Sequence, residues 1–186
     1  MNVFVTYASK HGSTKEIAER LARELRALGL SATLRPLGEF ADLGRYDALV
    51  LGSAVYAGSW PPEVGRFVDR HREALMGLPI WVFSSGPLGA GDPHPHDDPE
   101  RLAAPLAGFA LRGHRVFGGK LDKRLLGPGE RFVARIVWAP EGDFRNWDEV
   151  RGYAQEIAAA LHTQGATTQN HLERDDHPQR SDTRPL

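Results

Sequence analysis

No cysteine occurs in the 186 residues. Disulfide scaffolds, thiolate metal centres and thiol nucleophiles are therefore excluded. No apolar run approaches the roughly 18 to 20 residues that a bilayer-crossing helix needs. Neither sign of charge dominates, with 23 basic side chains against 24 acidic ones and a formal net charge of −1. That balance argues against nucleic-acid binding driven by bulk charge. The chain opens directly on a strand pattern, without a basic, apolar, small-residue signal sequence, so a cytoplasmic location is expected. Two nucleotide-binding signatures are missing as well: there is no G-x-x-x-x-G-K-[ST], and no G-x-G-x-x-G after the first strand. Gly52-Ser53 stands where a phospho-accepting receiver domain needs an aspartate.

What is present fits one self-supporting globular domain: 41% apolar and 25% charged residues in a chain of this length. Val3 to Tyr7 is a β-branched and aromatic run that reads as a buried strand. From Ser13 to Leu28, Ile17, Leu21, Leu25 and Leu28 share one helical face. Ser13 and Glu16 have the spacing of a capping box, and Gly29 supplies the stop. Further strands are expected at Ser31–Arg35, Asp47–Ser53, Pro79–Ser84 and His114–Gly118. Helices are expected from Pro61-Pro62 to about Leu75, more weakly over Pro99–Leu111 because of Pro105 and Gly108, and over Trp147–His162. Strands alternating with amphipathic helices predict an α/β fold of three layers, with a five-stranded parallel sheet in the order 2-1-3-4-5. The domain is expected to span 1–162, with an insertion at about 120–146 between the last strand and the last helix. The polar stretch 163–186 is expected to be a disordered tail.

In an open parallel sheet, ligands bind where loops leave the carboxyl ends of the strands. Three loops there carry the chemistry. Ser9-Lys10-His11-Gly12-Ser13-Thr14 joins a buried strand to a helix N-terminus, where backbone N–H groups and the helix dipole favour an anion. The hydroxyls of Ser9, Ser13 and Thr14 add donors, which makes a phosphate cradle. An ordinary well-capped turn is the alternative. Ser53-Ala54-Val55-Tyr56-Ala57-Gly58, followed by Ser59-Trp60, joins small residues to two aromatics. Its amides suit the edge of a flat heteroaromatic and a ring suits its face, although Tyr56 and Trp60 could instead pack on the sheet edge. Ser84-Ser85-Gly86-Pro87-Leu88-Gly89 again offers amides, hydroxyls and flexible glycines.

These residues resemble the flavodoxin-fold proteins that bind FMN and, within them, the flavodoxin-like menaquinone-dependent protoporphyrinogen IX dehydrogenase family. The resemblance rests on residues 9–18 (Ser-Lys-His-Gly-Ser-Thr-Lys-Glu-Ile-Ala), on 52–58 (Gly-Ser-Ala-Val-Tyr-Ala-Gly), on the insertion, and on Asn146-Trp147-Asp148 opening the final helix. It covers about residues 1–162. It implies noncovalent FMN, its phosphate held by residues 9–14 and its ring bracketed by the other two loops. It also implies electron flow from a porphyrinogen through the flavin to a quinone, a role in haem biosynthesis. No catalytic acid, base or nucleophile is nominated, because a flavin supplies the redox chemistry. Lys10 and His11 are read either as extra charge for a phosphate or substrate carboxylate, or as solvated side chains.

Small electron-carrying flavodoxins resemble the chain too, and an electron-transfer protein docking to redox partners without a small-molecule substrate is the alternative function. Such carriers are usually strongly acidic, an asset in steering that this chain lacks. Residues 112–138 instead hold seven basic side chains (Arg112, Arg115, Lys120, Lys123, Arg124, Arg131, Arg135) against Asp122 and Glu130. With apolar residues interspersed, this segment suggests peripheral contact with the inner face of the cell membrane or with a carboxylated substrate; a solvated flap or a dimer contact fits equally. His94 and His96, flanked by Asp92, Asp97 and Asp98, invite a metal reading. Pro93 and Pro95 make this a loop with no helix or strand to hold the geometry, so no metal is expected.

Overall fold

The structure, a computed structural model, describes residues 1–39, 42–56, 58–86, 99–122, 127 and 141–175, with the backbone alone at 99–100 and 168–175. Five parallel strands form its central sheet: β1 (Asn2–Ala8), β2 (Ser31–Pro36), β3 (Ala48–Ala54), β4 (Ile80–Ser85) and β5 (Leu111–Phe117), in the order 2-1-3-4-5. β3 and β4 are buried along their whole length, which is why they read as near-continuous apolar runs. Helix α1 (Ser13–Ala27) and the last helix, α5 (Trp147–Asp175), cover one face; α2 (Pro62–Arg70) and α3 (Arg72–Met76) cover the other.

Alternation along each strand divides the core in two. Val3, Val5, Trp81 and Phe83 meet Ile17, Leu21, Val150, Ile157 and Leu161 on the first face. Phe4, Leu49, Leu51 and Val82 meet Trp60, Val64, Val68 and Leu75 on the second. Tyr153 ties α5 to the sheet, its hydroxyl donating to the Val82 carbonyl at 2.9 Å. Burial raises the pKa of that phenol, so it stays a donor throughout the working pH range. At the end of α1, Gly29 adopts φ +85°, Leu30 N–H bonds Leu25 O at 3.1 Å, and Gly29 N–H bonds Arg26 O at 3.1 Å. This is a Schellman stop, as Gly29 predicts.

Four expectations need correction. Gly12, at φ +87°, is the N-cap of α1, and Ser13, the first helical residue, caps nothing. Side-chain capping occurs instead at α5, where Asn146 Oδ1 accepts the N–H groups of Asp148 (3.1 Å) and Glu149 (3.4 Å). The single helix expected after Pro61-Pro62 breaks at His71 (φ −113°), between α2 and α3. The weak helix expected from Pro99 reduces to α4 (Pro99–Leu102) and a 3-10 turn at Ala104–Leu106, ended by Gly108 at φ +88°. Finally, α5 runs to Asp175 rather than stopping at His162. No proline intervenes before that point, and Thr163 and Thr167 satisfy their hydroxyls on the carbonyls four residues back.

β6 (Lys120–Leu121) and β7 (Gly142–Asp143) pair antiparallel at the base of the inserted segment. Most of that segment, including Lys123, Arg124, Arg131 and Arg135, lies outside the described residues, as do residues 176–186 and the His94/His96 loop. Among the described residues no helix is long and apolar enough to cross a membrane, and no cluster of three His, Cys, Asp or Glu side chains could hold a metal.

Candidate functional site

The sheet register brings the three loops to one edge. Ala8 lies opposite Ser53, Ser53 opposite Ser84, and Ala54 opposite Ser85. Side chains then tie the loops together. Ser13 Oγ lies 3.3 Å from Ser85 Oγ, joining the first loop to the third. The His11 and Tyr56 rings meet edge-on at 6.3 Å, joining the first to the second. Val55 N–H donates to Ser85 O at 3.0 Å, joining the second to the third.

The first loop has the construction of an anion cradle. Ser9 Oγ accepts the Gly12 N–H at 3.1 Å and closes the turn. The first intrahelical bond is Glu16 N–H to Gly12 O at 3.0 Å, so the N–H groups of Ser13, Thr14 and Lys15 precede any intrahelical acceptor. Thr14 is 1% exposed, and its Oγ1 is buried without a hydrogen-bond partner. An orphaned buried hydroxyl is costly. Placed in the first turn of a helix that follows a left-handed glycine, it suits a bound phosphate, and the donor set of the loop fits that group.

The other two loops divide into lining and support. Tyr56 and Ser59 exchange backbone hydrogen bonds at 2.9 and 3.1 Å around Gly58, which sits at φ +74°. That turn presents Tyr56, 38% exposed, at the rim. Trp60 is instead packed under the sheet edge, 7% exposed, and donates Nε1–H to Ser84 Oγ at 2.9 Å. Ser84 Oγ also lies 2.9 Å from His114 Nε2. Ser53 Oγ donates to the Ala54 carbonyl at 3.0 Å. The hydroxyls of Ser53 and Ser84 are thus committed within the fold, the Gly86 N–H donates to the Phe117 carbonyl at 3.1 Å, and Ser85, itself buried, has its Oγ beside Ser13 Oγ. Ala57, Pro87, Leu88 and Gly89 lie outside the described residues.

The contacts of two residues had no sequence signal. The Lys120 N–H donates to Ser13 Oγ at 3.1 Å. Arg145, its side chain 4% exposed, reaches Glu16 (2.6 Å) and Asp143 (2.6 Å) and lies over the Trp147 ring at 4.7 Å. Glu16, which the capping-box spacing assigns to α1's own N-terminus, serves this ion pair instead. Both ends of the inserted segment are therefore fastened to the first turn of α1, beside the cradle. Basic residues of 112–138 are also partly spent, since Arg115 Nη2 donates to both carboxylate oxygens of Glu156 at 2.7 Å.

The hydrogen bonds from Arg145 hold the Asp143 carboxyl below its ordinary 3.8, with burial opposing. A carboxylate depressed in the folded state contributes stability that is present above its unfolded pKa and lost as pH falls through the folded one. Asp143 is 43% exposed, so solvent screens the pair and the expected result is a change of slope. Urea unfolding of Asp143→Asn should show a shallower loss of stability below about pH 4 than the wild-type protein. Parallel acid limbs in the two proteins would remove Asp143 from that role.

Comparison with known proteins bears on the family and the fold. A family model described as a flavodoxin domain matches residues 4–147. A protein named protoporphyrinogen IX dehydrogenase [quinone], from Escherichia coli strain K12, is 25% identical over 173 residues, covering 85% of this chain and 95% of that one. An archaeal flavodoxin superimposes with a TM-score of 0.56 at 17% identity, over 87% of this chain and 99% of its own. Rubredoxin oxygen:oxidoreductase of Desulfovibrio gigas does so with 0.59 at 18%, over 89% of this chain but 37% of that longer one. The structural likenesses establish the fold.

Proposed function

The chain belongs to the flavodoxin domain family, and from that premise we propose that it passes electrons from a reduced, protoporphyrinogen IX-like substrate through FMN to a quinone. Family membership implies FMN as the cofactor and an oxidoreductase or electron-transfer role. The observation that carries the finer reading is the similarity to the quinone-dependent dehydrogenase along 95% of that protein's length.

In this reading Ser9, Gly12, Ser13 and Thr14 hold the phosphate, Lys10 adds positive charge beside it, and His11 binds alongside with its ring against Tyr56. Ala54, Val55, Tyr56, Ala57 and Gly58 line one side of the ring, and Ser85, Gly86, Pro87, Leu88 and Gly89 the other. Ser53 and Ser84 support these loops from within the sheet. FMN held there would supply the redox chemistry between donor and acceptor. Each pair of electrons and protons leaving the porphyrinogen reduces one quinone to a quinol. The chain's own part is to bind, orient and exclude water. The inserted segment and the near-neutral charge favour an enzyme over a carrier that docks to a protein redox partner. Peripheral membrane contact through 112–138 belongs to the same proposal, with Arg112 and Lys120 as its described cations and Arg115 already paired.

The test is anaerobic turnover by the FMN-loaded protein, given protoporphyrinogen IX and a soluble menaquinone analogue and followed by porphyrin fluorescence. Quinone-dependent porphyrin formation above a no-enzyme control is expected. Flavin that reduces chemically but yields no porphyrin would overturn the substrate pairing in favour of the electron carrier. Folded, FMN-supplemented protein that stays colourless would overturn the cofactor.

A further inference from the structure

On the far side of the phosphate loop, between the carboxyl ends of β1 and β2 and helix α2, lies a cavity of about 410 Å³. It shares Ser9 with the cradle, and none of its lining residues comes from the loops directly after β3 and β4. Its apolar walls are Tyr7, Pro36, Leu37 and Phe67. Two exposed arginines, Arg66 and Arg70, line it, against the single acidic residue Glu63. Arg66 and Arg70 stand one helical turn apart on α2, so their heads project to the same side. Among the described residues neither guanidinium meets a carboxylate, whereas Arg20, Arg72, Arg115, Arg145 and Arg151 all do.

The break in the helix falls at this wall. His71 interrupts α2 and α3 with neither glycine nor proline at the break, and its ring packs on Phe67 at 4.8 Å. Burial, with Arg70 adding to it, lowers the pKa of that imidazole, which is therefore neutral at pH 7. Positive charge in the cavity thus comes from the two arginines, over aromatic and aliphatic walls. Guanidinium forks match carboxylates in shape and hydrogen bonding, and an apolar pocket with a few convergent polar groups is the usual form of a small-molecule site.

We propose that this cavity is a second ligand site, binding a small aromatic carboxylate with its ring between Leu37 and Phe67 and its carboxylate on Arg66 and Arg70. The site adjoins the phosphate loop at Ser9 and lies on its β2 side, and the inference does not rest on the proposed activity.

The test is calorimetric titration of the FMN-loaded full chain with 2-naphthoate, its neutral amide and inorganic phosphate. Saturable one-to-one binding of 2-naphthoate is expected. The amide should bind at least about tenfold more weakly, as should 2-naphthoate to the double variant Arg66→Gln/Arg70→Gln, the loss of one or more charge-assisted hydrogen bonds. Flavin absorbance of the same samples reports whether variant and wild type are equally folded and loaded, independently of what the cavity binds. Absence of saturable heat, equal binding of acid and amide, or unchanged binding by the double variant would each overturn the site. Phosphate binding as tightly as 2-naphthoate would overturn its aromatic character.

Discussion

Replacing Thr14 by valine should weaken FMN binding roughly ten- to a hundredfold while making the flavin-free protein more stable. The two effects have opposite signs for one reason. Thr14 Oγ1 is buried without a partner, so the flavin-free fold carries the cost of a desolvated hydroxyl. Valine has nearly the same shape and no polar atom, and removing that cost should stabilise by on the order of 1 kcal/mol. In the proposed site the same hydroxyl would donate to a phosphate oxygen of FMN, and a hydrogen bond to a charged group contributes about 1.5–3 kcal/mol. Its loss converts to the stated range of affinity. Fluorescence titration of flavin-free protein with FMN measures the first effect, and urea unfolding without FMN measures the second. An unchanged dissociation constant would place the phosphate elsewhere. A less stable flavin-free variant would mean that the hydroxyl is satisfied within the fold.

The second large effect is expected from Gly52→Ala, in the middle of the sheet. Gly52 lies opposite Phe83 on the neighbouring strand, and a Cβ built on Gly52 falls far inside van der Waals contact with the tip of the Phe83 ring. Phe83 cannot swing away freely, because its ring packs against Phe117 at 5.8 Å and both are buried. Overpacking of this kind costs about 1–3 kcal/mol, which for a chain of this size lowers Tm by several degrees, at about 2–4 °C per kcal/mol. Gly52 precedes Ser53 and Ala54 at the site edge, so FMN affinity should fall as well. Shrinking the ring should relieve the clash: Gly52→Ala with Phe83→Leu should lose less stability than the two single variants summed. Calorimetric melting of the four proteins checks this. Additive losses would mean that the alanine is accommodated by backbone movement instead.

The elements legible in advance share a property: their signal is local. Val3 to Tyr7 and Ala48 to Leu51 announce buried strands by composition, and Ile17, Leu21 and Leu25 announce α1 by spacing. Gly29 announces its end because few residues other than glycine adopt the left-handed conformation a Schellman stop requires. The alternation of these elements was enough to order the sheet, since right-handed crossovers and a parallel arrangement leave few choices. The three loops were legible for the same reason. Strand ends position them, and the loop residues themselves carry the glycines and hydroxyls.

Contacts between residues distant in sequence were not legible. Ser13 has the spacing of a cap, but Gly12's left-handed backbone takes the cap position, and the Ser13 hydroxyl turns to Ser85 and the Lys120 N–H. Tyr56 and Trp60 read alike as aromatics of one loop. Only the position of Ser84 on the adjacent strand draws the Trp60 indole inward and leaves Tyr56 at the rim. Glu16 is claimed by Arg145 from the far end of the insertion, and His71 breaks a helix without a glycine or proline to signal it. Sequence alone therefore determined the fold class, the strand order and which loops meet at the sheet edge, because periodicity and turn chemistry act over a few residues. Tertiary structure decided which hydroxyls face that edge, which aromatic lines it, and where unpaired arginines meet a cavity. Those outcomes depend on hydrogen-bond and ion-pair partners that chain folding brings together from distant positions.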